Sequence, residues 1–146
     1  YEGNFRTLKF SKFSANCPVL SLISEPDKTT RKLFSTGAVR ILNIENVLKK
    51  TKYPNEKGSF TVKTTDRLKQ NCGCFHVEYE NTAATVTRLD SDDADVVLDQ
   101  NAANILFCGT AGPEALRFTA GAEIVNENPD FFKAFTPRNI LFCDGF

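Results

Sequence analysis

Short runs of β-branched and aromatic residues recur along this sequence at about ten-residue spacing, each closed by Gly, Pro, Asn or Asp. That rhythm is the mark of an all-β sandwich or barrel, and it leaves little room for long helices. The runs fall at 5–10, 19–24, 38–43, 59–65, 74–80, 84–89, 95–99, 104–108 and 115–120. An eight-stranded barrel needs one fewer, so one run is expected to be an extension, a bulged half or a loop. Alternation is clearest in Cys74-Phe75-His76-Val77-Glu78-Tyr79-Glu80, which puts Phe75, Val77 and Tyr79 on one face. The same reasoning sends Phe60 and Val62 inward with Thr61 and Lys63 outward, and Leu116 and Phe118 inward with Arg117 and Thr119 outward. Val96 and Leu98 also face inward.

One helix is expected near the end. Asn128 suits the N-cap, Pro129 the first helical position and Asp130 the positive N-terminus, while Phe131, Phe132 and Phe135 form an apolar stripe that ends before Pro137. Residues 44–50 read two ways, as a continuation of extended chain or as a helical turn in which Val47 and Leu48 follow Ile44 at i+3 and i+4.

With 146 residues the chain is expected to form a single domain spanning 1–146. Its 18 basic and 18 acidic residues balance, and no run of Lys or Arg would track phosphates, so nucleic acid is excluded as a partner. No stretch approaches the ~20 apolar residues of a membrane span, so no membrane insertion is expected. Five cysteines favour an oxidising compartment and hence a secreted, extracellular protein.

The opening Tyr1-Glu2-Gly3-Asn4-Phe5, with Cys17 after it and Cys143 near the other end, resembles the lipocalin family, whose members commonly begin Tyr-x-Gly-x-Trp. Here Phe5 stands where the ring closes the barrel floor. The second family motif would fall at Leu98-Asp99-Gln100, of which only Asp99 matches. Residues 104–108 and 115–120 then look like the seventh and eighth strands, and the Asn128-Pro129 helix like the family's helix against the barrel. The Arg of the third motif is missing: its place reads Ala120-Gly121-Ala122. This resemblance implies an eight-stranded up-and-down antiparallel β-barrel and a disulfide from Cys17 to Cys143. It leaves Cys108 to pair with Cys72 or Cys74 or to stay free; the pairing is favoured, with the other of the two as an odd thiol that is buried, tethers a ligand or bridges a homodimer.

A barrel of about eight strands has room for one small ligand. The expected partner is a small hydrophobic molecule, such as a fatty acid, retinoid, odorant or other lipid, or a pigment such as a bilin or carotenoid. The expected wall residues are Phe60, Val62, Phe75, Val77, Tyr79, Val86, Val96, Leu98, Ile105, Phe107, Leu116 and Phe118, with Tyr79 as the polar handle. The alternative is a secreted interaction or inhibitor module with a filled β core. No metal site is expected: Cys72-Gly73-Cys74 lacks zinc spacing, His76 is the lone histidine, and the acidic loop of Asp90, Asp92, Asp93 and Asp95 reads as solvated. No Gly-x-Ser-x-Gly, His-Glu-x-x-His or glycine-rich phosphate loop occurs, and the chain is expected not to be an enzyme.

Overall fold

Alternation tells which way side chains point, but pairing decides whether a sheet closes, and here the pairing leaves it open. The computed structural model describes Thr30 and residues 39–137. Residues 39–137 fall within one compact unit. Its strands β1 (Gly58–Thr64), β2 (Gly73–Glu80), β3 (Ala83–Leu89), β4 (Val96–Leu98) and β5 (Ala122–Ile124) form a five-stranded sheet in the order β3-β2-β1-β4-β5. Pairs β1–β2, β2–β3 and β4–β5 are antiparallel, but β1 and β4 run parallel, with Val62 beside Val96 and Thr64 beside Leu98. A parallel neighbour requires a crossover, which an up-and-down barrel does not contain. The expected eight-stranded antiparallel barrel is therefore replaced by an open mixed sheet with helices, an α/β arrangement.

The helices are α1 (Ile44–Lys50), α2 (Gln100–Phe107) and α3 (Pro129–Ala134). Helix α1 begins at Asn43, whose side chain accepts from Asn46 N at 2.8 Å, and it realises the helical reading of 44–50. Helix α3 starts at Asn128 with Pro129 in its first turn, as expected. The expected strand at 104–108 is instead the second half of α2. Asp99 caps that helix by accepting from Ala102 N at 2.8 Å, and Ala102, Ala103, Leu106 and Phe107 make its buried stripe. The expected strand at 115–120 is a 3₁₀ turn, Pro113–Phe118. Three residues per turn align Pro113 with Leu116, so both are buried, while Phe118 is 92% exposed. Runs 59–65, 74–80, 84–89 and 95–99 do form strands, the last shortened to Val96–Leu98, whereas 38–43 does not form a strand over its described residues. The runs at 5–10 and 19–24, and Tyr1, Phe5, Cys17 and Cys143, lie outside the described residues.

The sheet has one apolar face. Phe60, Val62, Phe75, Val77, Tyr79, Val86, Val96 and Leu98 share a buried cluster with Ile44 and Leu48 of α1, Leu106 and Phe107 of α2, and Phe131 of α3. This core is solid. The Phe60 ring lies 5.4 Å from Phe131, 5.6 Å from Phe135 and 6.4 Å from both Tyr53 and Tyr79, in the tilted and edge-on arrangements that aromatic quadrupoles favour. The opposite face carries Thr61, Lys63, His76, Glu78, Thr85 and Thr87, none of them buried.

The connection into β5 depends on one glycine. Gly121 has φ +83, its carbonyl accepts from Asp99 N at 2.7 Å, and a Cβ there would run into the Asp99 carboxyl group. Gly121→Ala combines left-handed strain with displacement of the α2 cap, and should cost about 1–3 kcal/mol. Chemical denaturation of the two proteins measures it; equal midpoints would contradict the account.

Candidate functional site

The aromatic core is closely packed, and among the described residues two of the surface concavities are large enough to consider. The first is a groove of about 240 Å³ where α1 passes the end of α2, lined by Asn46, Val47, Lys50, Thr51 and Phe107. Helical spacing places it: Asn46, Val47, Lys50 and Thr51 lie along one side of α1 and its C-cap, and Thr51 Oγ1 ties that end down by donating to Val47 O at 2.8 Å. Its floor is Phe107, 7% exposed, whose ring stands 5.5 Å from Phe135 and so belongs to the core at the same time. Lys50, an exposed residue, is the one cation among those lining it. The groove thus offers an apolar floor with a cation beside it.

The second concavity is a polar cleft of about 540 Å³ lined by Arg40, Thr65, Asp66, Arg67, Asp99, Gln100 and Asn101. It lies where β1 and β4 end side by side and α2 begins, and Thr65 N bonds Leu98 O at 2.9 Å across its base. Both carboxylates are committed to the structure. Asp66 accepts from Arg40 Nη2 at 2.7 Å, Asn71 Nδ2 at 2.8 Å and Leu68 N at 3.0 Å, and Asp99 caps α2. Burial pushes the Asp66 carboxyl up, but the hydrogen bonds from Asn71 and Leu68 and the Arg40 charge outweigh it and hold it below the usual carboxylate range.

Of the expected wall residues, Phe60, Val62, Phe75, Val77, Tyr79, Val86, Val96, Leu98 and Leu116 are packed in the core, Ile105 is half-buried and Phe118 stands in solvent. Phe107 alone among them lines either concavity. The Tyr79 hydroxyl donates to Asp130 O at 3.1 Å and holds α3 to the sheet. Asn46, Val47, Lys50 and Thr51 were not expected as site residues, although the i, i+3, i+4 spacing from Ile44 pointed to the helix that carries them.

The thiols correct a second expectation. Cys72, Cys74 and Cys108 are all free, so Cys108 pairs with neither of the other two. Cys74 alternates with Phe75 and points to the face away from the helices, where its Sγ donates to Asp93 O at 3.4 Å, whereas Cys108 ends α2 on the other side of the sheet. Burial pushes both thiols up, which leaves them poor nucleophiles. His76 Nδ1 is 3.1 Å from Thr61 Oγ1, but its Nε2 is 3.8 Å from Glu78, beyond hydrogen-bond length, and the group lies on the open sheet face without a concavity. In the acidic loop Asp92 pairs with Lys63 at 2.8 Å, and Asp95 accepts from Thr61 N at 2.8 Å and Asn128 Nδ2 at 2.9 Å. No cluster of His, Cys, Asp and Glu suited to a metal occurs among the described residues.

Comparison with known proteins bears on this arrangement. A family model described as a sterol carrier protein domain matches residues 44–140. Among solved structures, the chain is similar to a GCN5-related N-acetyltransferase from Anabaena variabilis ATCC 29413, at 21% identity and a TM-score of 0.61 over 73% of this chain and 28% of that one. A GCN5-related N-acetyltransferase from Kribbella flavida gives 18% identity and a TM-score of 0.58 over the same shares of the two chains, 73% and 28%. Eis1 from Mycobacterium abscessus gives 16% and 0.55, over 70% of this chain and 26% of that one. The chain thus spans little more than a quarter of these structures, and the likeness is one of fold. No curated protein matches. The lipocalin resemblance is overturned by the family match and by these folds. The expectation that the chain is not an enzyme is contradicted only at the level of fold, the similar structures, of which it spans 28%, being described as N-acetyltransferases. The expected class of partner, a small hydrophobic molecule, agrees with a sterol carrier domain.

Proposed function

The chain belongs to the sterol carrier protein domain family, and on that premise we propose that it binds a single-chain amphiphile with an anionic head, of the fatty acid type, in the groove between α1 and α2. The observation that carries this reading is Phe107, a core ring that is also the floor of a concavity with Lys50 among its lining residues. The groove, at about 240 Å³, falls short of the roughly 300 Å³ at which pockets for drug-sized ligands begin, so it suits a single short hydrocarbon chain better than the larger bilin or carotenoid. The apolar chain gains by leaving water against Phe107 and Val47, and the head gains a charge-assisted contact with Lys50.

An environment-sensitive fluorescent fatty acid provides the test. Val47→Trp fills the groove from its lip without removing a core ring, and should weaken probe binding at least about tenfold, the equivalent of ~1.4 kcal/mol. Binding unchanged by Val47→Trp would remove the groove from the account, and no binding by the native chain would remove the ligand.

We further propose that this domain works within an N-acetyltransferase-type protein, a reading supported by the fold it shares with enzymes of which it spans 28%. Protein purified from its source should convert a primary amine to its N-acetyl derivative when given an acetyl donor. A pure preparation that yields none over buffer would end this part of the reading and leave the ligand part standing.

A further inference from the structure

The polar cleft has no part in the fatty acid reading, and the topology explains why it exists. Among the described residues β1 and β4 are the one parallel pair, so both stop at the same end of the sheet. From there the chain leaves in opposite directions: after β1 it turns through residues 65–72 to β2 on one side, and after β4 it runs through α2 and the 3₁₀ turn to β5 on the other. Two connections that diverge beyond the carboxyl ends of parallel strands leave a crevice, and in open α/β sheets ligands bind in that crevice. At about 540 Å³, this one is within the roughly 300–1,000 Å³ of small-molecule sites.

Its lining favours an anion. Two arginines stand against two carboxylates, but the four charges are not equally available. Asp66 is engaged by Arg40, Asn71 and Leu68 N, and the Asp99 carboxyl caps α2 and lies against Gly121. Arg67, by contrast, is exposed and forms no ion pair among the described residues. No aromatic or aliphatic residue lines the cleft, so a nucleobase or an acyl tail would find no partner in it. We propose that the cleft binds a phosphate monoester of a small hydroxylated carrier, of the sugar phosphate type. The planar guanidinium of Arg67 makes paired bonds to the phosphate, while Gln100, Asn101 and Thr65 exchange hydrogen bonds with the carrier's hydroxyl groups. The inference is independent of the fatty acid reading, since the cleft and the groove share no lining residue.

Calorimetric titration of the 146-residue chain with glucose 6-phosphate, glycerol 3-phosphate, inorganic phosphate and glucose tests it. Both esters should bind, inorganic phosphate at least about tenfold more weakly, and glucose without measurable heat. Arg67→Ala removes an exposed side chain, so it should keep the native urea midpoint while weakening both esters at least about tenfold. Arg67→Lys should fall between the two, because lysine keeps the charge and loses the fork. Gln100→Ala combined with Asn101→Ala should weaken glucose 6-phosphate and leave inorganic phosphate unchanged. In amide spectra the esters should move the signals of residues 65–67 and 99–101, and leave those of Val47 and Thr51 in the groove where they are. Absence of binding by both esters, affinities that Arg67→Ala does not change, or inorganic phosphate binding as tightly as the esters would each overturn the proposal.

Discussion

Replacing Phe60 by alanine should lower the free energy of unfolding by about 3–5 kcal/mol, enough to consume much of the stability of a domain this small. The expectation follows from where β1 lies. As the middle strand of the sheet, it is flanked by β2 and β4, and its inward side chains meet both the sheet's apolar face and the helical layer. Phe60 is 1% exposed and has four rings around it: Tyr53, Tyr79, Phe131 and Phe135. Truncation to alanine removes the transfer energy of the ring and leaves a cavity that cannot collapse readily. Tyr53 is held by its hydroxyl donating to Leu48 O at 2.9 Å, and Tyr79 by its bond to Asp130 O. Burial of the Tyr53 phenol pushes its pKa up, so neither anchor is released by ionisation near neutral pH. Urea denaturation should show a lower midpoint with an unchanged slope, and Phe60→Leu should recover part of the loss. A loss below about 1 kcal/mol would mean that the ring cluster is not the centre of the core.

Much of this core could be read from period-two alternation. Phe60 and Val62, Phe75, Val77 and Tyr79, and Val96 and Leu98 all face inward as the sequence implied, because alternation depends only on the backbone being extended. What alternation does not encode is which strands lie side by side. The same inward-facing residues would line a barrel or cover one face of an open sheet, and only the parallel contact of β1 with β4 distinguishes them. The short windows at 104–108 and 115–120 failed for a different reason. Five or six apolar-rich residues fit a strand, a turn of α-helix and a turn of 3₁₀-helix about equally, and the deciding residues lay just outside: Asp99 as the cap of α2, and Pro113 as the partner of Leu116. The candidate groove was legible only through Phe107, since its other residues depend on how α1 docks, which is a property of the assembled core.

A larger blind spot is the buried amide of Asn71, which sits in what sequence alone presents as a polar connection, and its removal should be nearly as costly as that of Phe60. Asn71 is 0% exposed. Its side chain accepts from Ile44 N at 3.0 Å, donates to Ile41 O at 2.9 Å and donates to Asp66 at 2.8 Å, while the Thr64 hydroxyl donates to its backbone carbonyl. One side chain thus joins the start of α1, the segment before it and the turn after β1. Asn71→Ala leaves the first amide of α1 and the Ile41 carbonyl without their partner and takes one bond from the Asp66 carboxylate. At about 1–3 kcal/mol for each group stranded, the expected loss is about 3–5 kcal/mol. The pH dependence separates this mechanism from simple cavity formation. Asp66 has its pKa depressed in the folded state, so the stability it contributes is present above the ordinary carboxylate range, near pH 4, and is lost as pH falls through the folded value. Removing Asn71 takes away one cause of that depression, so the stability gap between native and variant should be widest near neutral pH and narrow on acidification. Hydrogen exchange should also show the α1 amides losing protection before those of β1 and β2. A gap that stays constant from neutral pH down to pH 3, or α1 amides as protected as in the native chain, would show that Asn71 does not anchor the helix through this network.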